Sequence, residues 1–211
     1  FTDKPARDYQ VSDYVEHLHD LLDVLGLDSV HLSGESLGGW VAARFAAKYP
    51  GKIKRLVLNT AGGMIADPKV MERLRTLSLN AVQNPEREAT RKRLEFLMED
   101  PSIVTEDLVE SRFAVYRLPD MPPAMASIMC LQDMEIRLKN LLTDDELGRI
   151  EAETLVLWTT HDPTAPVSVG ERLASLVKHS RMVVMENCGH WPQYEDPDTF
   201  NALHIDFLLN G

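Results

Sequence analysis

At 211 residues, 44% hydrophobic and 26% charged, the sequence suits one soluble globular domain with room for an inserted subdomain. A net charge of −11, from 22 basic and 33 acidic residues, argues against nucleic-acid and anionic-membrane partners, and no apolar run approaches the roughly 20 residues of a membrane helix. Two cysteines, Cys130 and Cys188, make neither a disulfide framework nor a metal cluster and fit a reducing cytoplasm.

The chain opens on Phe1 rather than methionine, so further sequence is expected upstream. "SDYVEHLHDLLDVLG" reads as a first helix, with Ser12 as N-cap, Val15, Leu18, Leu22 and Leu25 on one face, and Gly26 at its end. "SVHLS" is a short strand, and residues 37–49 are a helix stopped by Pro50-Gly51. "IKRLVLN" is apolar enough to be a buried central strand. Residues 64–150 hold no convincing strand, only helical segments punctuated by Pro68, Pro85, Pro101, Pro119, Pro122 and Pro123. They read as an inserted helical lid over the sheet's carboxyl edge, the place where α/β proteins bind ligands. Its Met121, Met125 and Met129 recur every four residues, as either a packing face or an adaptable wall for a bulky substrate. The rhythm then resumes with strand "TLVLW", helix "VSVGERLASLVK", strand "RMVVME" and helix "DPDTFNALHIDFLL". The expected class is α/β, a mostly parallel sheet with helical crossovers. Residues 1–63 and 151–211 form its core, and 64–150 its lid.

The first strand hands over to the second helix through "GESLG", with Ser36 between Gly34 and Gly38. In G-x-S-x-G the serine occupies a strained strand-to-helix turn that lifts Oγ clear of the sheet. A side chain at either glycine is expected to collide with the neighbouring strand or helix. The following helix points its N-terminus at the reaction centre, so the Leu37 N–H becomes a donor for an oxyanion.

A serine needs a base, and the base an orienting acid. Asp162, in "WTTHDPTAP", sits at the carboxyl end of the third strand, and His190, in "ENCGHWPQYED", at that of the fourth. Both loops emerge on the edge that carries Ser36. His161 is placed to lead the wrong residue into the pocket, and His204 lies within the last helix as a structural histidine. His17, His19, His31 and His179 have no strand-end context, and Cys188 reads as a packing residue.

"HLSGESLGGWVAARFAAKYP", "WTTHDPTAPVS" and "ENCGHWPQYEDPDTFNALHIDFL" resemble the α/β-hydrolase superfamily, and within it the meta-cleavage-product hydrolases, over nearly the whole chain. The resemblance implies cleavage of a carbon–carbon bond in 2-hydroxy-6-oxo-dienoates from aromatic catabolism, a small-molecule substrate, no metal or organic cofactor, and a homodimer. It implies that Trp191 lines the substrate pocket. It also implies that Arg112, in the lid segment "TEDLVESRFAVY", contacts the dienoate carboxylate; an ion-paired helix arginine beside Asp107 and Glu110 is the plainer reading. Two departures stand out. Glu35 replaces the asparagine that often precedes the family's nucleophile, and its role is open. The family's N-terminal strands, with the loop that carries its second oxyanion donor, have no counterpart, which leads to the expectation of roughly 60 further residues upstream. A carboxylesterase using the same three residues, and a hydrolase-fold ligand receptor, remain as alternatives.

Overall fold

The computed structural model describes residues 2–210; the end positions of the two expected core segments, Phe1 and Gly211, lie outside the described residues. The described chain runs α1 (Val11–Val24), β1 (Val30–Glu35), α2 (Leu37–Lys48), β2 (Ile53–Asn59), α3 (Pro68–Gln83), α4 (Arg87–Glu95), α5 (Glu106–Tyr116), α6 (Met121–Ile128), α7 (Met134–Asn140), α8 (Asp144–Gly148), β3 (Glu153–Thr159), α9 (Val167–Leu176), β4 (Ser180–Met185), α10 (Pro192–Glu195) and α11 (Pro197–Asn210). It divides into two compact units. One joins the N-terminal residues through Gln10 to Ala66–Asn140; the other joins Val11–Ile65 to the chain from Leu141 onward.

The second unit holds a four-stranded sheet in the order β1-β2-β3-β4, parallel throughout. β2 and β3 are central. Leu56, Val57 and Leu58 face Thr154, Leu155 and Val156 in register, and every one is essentially inaccessible to solvent. Such buried, largely apolar runs are what a parallel strand covered on both faces requires. α2 supplies one cover with Trp40, Ala42, Ala43, Phe45 and Ala46. On α11, Phe207 and Leu208 pack with Val57, Leu155 and Val183, while Phe200 and Leu203 pack with Leu157, Met185 and Cys188. The sheet's carboxyl ends therefore sit on a rigid base.

The ends of α1 differ in part from expectation. Ser12 is not its N-cap: the helix starts at Val11, two residues before the Asp13 start that such a cap implies, because Val11 is fully buried and anchors the first turn. Leu25 lies beyond the helix and is exposed. Gly26 does end it, at φ +66°, with Gly26 N–H donating to Asp23 O and Leu27 N–H to Leu22 O. That pair of bonds is the Schellman closure, and its left-handed residue favours glycine.

α8 is a one-turn helix held by a capping box: Thr143 Oγ1 accepts from Glu146 N–H while Glu146 Oε2 accepts from Thr143 N–H. The same carboxylate takes Arg44 Nε at 3.1 Å, which ties α8 to α2. Burial works to raise the Glu146 pKa, but the Thr143 N–H and the Arg44 charge outweigh it and hold the carboxyl below its ordinary value. Thr143→Ala is expected to cost about 1 kcal/mol, the usual loss for a serine or threonine N-cap, read as a lower urea midpoint at unchanged slope.

The other unit contains α3 to α7 and, among its described residues, no strand. The helical stretch expected over 64–150 is thus divided, with α8 grouped with the sheet. Asp67 caps α3 by accepting from Lys69 and Val70 N–H, and Thr105 caps α5 by accepting from Leu108 N–H. Pro68 and Pro122 lie in the first turns of α3 and α6, where a missing N–H leaves no helical bond unmade. The methionine series is a packing face: Met125 is buried with Ala81, Val82 and Tyr116, and Met121 and Met129 pack against that cluster.

Candidate active site

Three chain crossings at the carboxyl ends of β1, β3 and β4 build the site. At the first, Ser36 stands alone between β1 and α2 with φ 55° and ψ −116°. This left-handed conformation costs a non-glycine residue roughly 1–3 kcal/mol, and the surroundings hold it. Ser36 N–H donates to Asn59 O, and the Ser36 carbonyl accepts from both Trp40 and Gly62 N–H. The turn is so tight that a Cβ on Gly34 would lie 2.2 Å from Gly38 O and 2.5 Å from Gly38 C. Gly38 itself does not behave as expected: a Cβ there meets nothing within 4 Å, because its side faces open space. The second close approach belongs to Gly39, where a Cβ would lie 2.7 Å from the Ala61 Cβ.

The loop after β3 carries Asp162, whose side chain is fully inaccessible. Its Oδ1 accepts from both the backbone N–H and the hydroxyl of Thr164, each at 2.7 Å. Both carboxylate oxygens lie 3.0 Å from His190 Nδ1. With Nδ1 protonated toward that carboxylate, Nε2 is left to accept. His190 Nε2 lies 2.8 Å from Ser36 Oγ. The histidine is 4% exposed, so this chain of hydrogen bonds is shielded from water.

The His190 loop is stapled from two sides. Thr159 Oγ1 donates to Gly189 O at 2.7 Å, and the Glu195 carboxylate accepts from both Gly189 N–H and Trp191 N–H, the two amides that flank His190. Glu195 closes the short α10, a stretch the sequence pattern leaves in the loop that carries His190. Its signal was a carboxylate at the end of a four-residue turn that begins at proline. Thr164 was legible only as a hydroxyl two residues after an acid. Glu35 also reaches the site, with Oε1 3.2 Å from His190 Nε2.

The remaining candidates have plain positions. Leu37 is the first residue of α2, where helix amides lack an intrahelical acceptor. Trp191 is half-buried at the N-terminus of α10. Arg112 is half-buried on α5 in the helical unit, its guanidinium 6.0 Å from the Tyr116 ring, while neighbouring Glu110 is paired with Arg87. His161 is exposed and its ring meets Thr160 Oγ1. His204 bridges Ser33 Oγ and Phe200 O inside α11, and burial lowers its pKa. Burial, with the Glu195 and Asp196 charges behind it, pushes the Cys188 thiol up to about 11, so it stays protonated at neutral pH. Among the described residues no group of three or more His, Cys, Asp or Glu side chains could hold a metal ion, and no helix is long and apolar enough to cross a membrane.

Comparison with known proteins points the same way. A family model described as alpha/beta hydrolase fold matches residues 1–197. The 2-hydroxy-6-oxo-6-phenylhexa-2,4-dienoate hydrolase of Burkholderia cepacia is 33% identical over 194 residues, covering 90% of this chain; the chain spans 66% of that relative's length. The 2-hydroxy-6-oxo-2,4-heptadienoate hydrolase of Pseudomonas putida strain F1 is 33% identical over 99% of this chain and 74% of its own. The solved structure of a serine-to-alanine mutant of the meta-cleavage product hydrolase CumD from Pseudomonas fluorescens IP01, in complex with acetates, superposes with a TM-score of 0.83 at 28% identity, covering 99% of this chain and 75% of its own.

Proposed function

The chain belongs to the α/β-hydrolase fold family, and on that premise we propose that it is a serine-dependent hydrolase that cleaves a carbon–carbon bond in 2-hydroxy-6-oxo-dienoates. The observation that carries the reading is the unbroken line Ser36 Oγ, His190 Nε2, His190 Nδ1, Asp162, with contacts of 2.8 and 3.0 Å. In our reading the dienol first ketonises, so that the carbon leaving with the bonding electron pair is conjugated to a ketone. His190 takes the Ser36 proton, or that of a water, at Nε2 while oxygen attacks the distal ketone. Asp162 holds the ring and stabilises the imidazolium. The Leu37 N–H faces the developing oxyanion. The tetrahedral adduct then collapses, the carbon–carbon bond breaks, and the leaving carbon takes the proton held on His190; where Ser36 attacked, water hydrolyses the acyl ester left on it and restores its hydroxyl.

The choice of dienoate over ester is supported by the names of the relatives and by Arg112. We assign the helical unit to a lid, Arg112 to the grip on the substrate carboxylate, and Trp191 to the pocket wall. We also place the protein in the cytoplasm as a homodimer. The free thiols of Cys130 and Cys188 suit a reducing compartment, and the resemblance supplies the dimer.

A turnover panel tests the assignment. The yellow ring-fission dienoate should decolourise with a kcat/KM above that of p-nitrophenyl esters. Turnover of esters alone would make the protein a carboxylesterase, and tight dienoate binding without turnover a receptor. Arg112→Ala refines the test. A charge-assisted pair contributes about 1.5–3 kcal/mol, so dienoate kcat/KM should fall on the order of 10- to 100-fold while neutral esters change little. Equal losses on both substrates would reduce Arg112 to a support for its helix.

A further inference from the structure

His190 Nε2 faces two oxygens rather than one: Ser36 Oγ at 2.8 Å and Glu35 Oε1 at 3.2 Å. Glu35 is the last residue of β1 and immediately precedes the serine. Its position follows from the same tight turn, and its side chain is only 29% exposed. Other charged and titratable groups lie around the ring. Asp162, from the loop after β3, lies on Nδ1. Glu195, from α10, is engaged by the Gly189 and Trp191 amides. Cys188 is protonated, its thiol raised by burial and by the Glu195 and Asp196 charges. Glu35 is thus the carboxylate on the side of the ring where the proton arrives.

We propose that Glu35 is a second positioning carboxylate for His190, one that acts on Nε2 and favours the imidazolium formed during turnover. In the resting state, with Nδ1 protonated toward Asp162 and Nε2 accepting from Ser36, the electron-rich Nε2 also faces a carboxylate oxygen, an unfavourable pairing. When the Ser36 O–H bond breaks and an N–H bond forms at Nε2, the same contact becomes an ion pair. The interaction is therefore stronger after proton transfer than before it, which is the condition for lowering a barrier rather than tightening binding. It also has a cost at low pH. A negative charge within roughly 4–6 Å favours the protonated imidazole by about 1–3 pKa units, and a protonated His190 is no base. The acid limb of the activity profile sits higher than it would without Glu35.

This inference rests on His190 as the base of the proposed hydrolase, so the test has one readout that needs turnover and one that does not. The first is the pH dependence of kcat/KM on a neutral p-nitrophenyl ester for the wild type, Glu35→Gln, Glu35→Asn and Glu35→Asp. The second is the titration of the His190 ring followed by nitrogen-15 NMR on the same proteins. Either amide variant should lower the His190 midpoint by about one unit or more, move the acid limb down by the same amount and reduce the plateau on the order of tenfold. Glu35→Asp, which keeps the charge, should recover part of the shift. An unchanged or raised His190 midpoint in the amide variants overturns the proposal. A lowered midpoint in a protein that turns over neither esters nor dienoates upholds the electrostatic role while removing the hydrolase reading.

Discussion

Ser36→Ala is expected to lower ester and dienoate turnover by roughly 10⁴- to 10⁶-fold with little change in stability. The range is that seen when a serine is removed from a unit in which nucleophile, base and acid act together, which leaves only binding and oxyanion stabilisation. At 1.36 kcal/mol per decade it corresponds to about 5–8 kcal/mol of transition-state stabilisation. The geometry allows so large an effect because the serine is aligned before substrate arrives: Oγ is already 2.8 Å from Nε2, on a ring clamped by Asp162. Stability should hold because Ser36 is anchored by its backbone, through Asn59, Trp40 and Gly62, and the variant keeps all of those bonds. The measurement is single-turnover kinetics on both substrates beside a urea titration. A loss below about tenfold on the ester would mean that Ser36 is not the attacking group. A large loss on the ester with a small one on the dienoate would mean that a water activated by His190 attacks the ketone.

Gly34→Ala should unfold the turn rather than merely slow the chemistry. The added carbon would lie 2.2 Å from Gly38 O, 2.5 Å from Gly38 C and 2.8 Å from Gly39 N, all of them backbone atoms that no rotamer change relieves. α2 must lift from β1, and α2 carries Trp40, Phe45 and the alanines that cover the sheet. A cost of about 3 kcal/mol or more is expected, at the upper end for overpacking, together with loss of ester turnover. Gly38→Ala is the control. Its Cβ meets nothing within 4 Å and sits in a helix, where alanine is favoured over glycine by roughly 0.5–1 kcal/mol, so stability should be unchanged or slightly higher. The two urea midpoints decide the matter. Equal destabilisation by both variants would mean that the motif's glycines serve flexibility, not close packing.

The strands, the parallel sheet and the meeting of Ser36, Asp162 and His190 were legible because their signals are local. "IKRLVLN" became β2 residue for residue, since an apolar run of that length between turns has few other uses. The acid and the histidine were legible because in a parallel sheet every strand ends on the same edge, so position after a strand implies convergence. The helical character of 64–150 was legible from proline punctuation and the lack of a convincing strand. The end of α1 was legible from one glycine, whereas its start was not. Burial of Val11 outweighs the capping preference of Ser12, and burial is a property of the folded chain.

By itself, then, the sequence determined the order of elements, the class of fold and which three side chains meet, because each depends on periodicity or on the residue's place at the end of a strand. Only the tertiary structure decided which glycines are obligatory, and that Glu195 staples the amides around His190 while Glu35 adds a carboxylate to its reactive nitrogen. The physical reason is range. Hydrogen-bonding and steric demands at the site act over about 3 Å between atoms far apart in the chain. Glu35 is 155 positions from His190 in the sequence and 3.2 Å from it in space, and no pattern in the neighbouring residues encodes that contact.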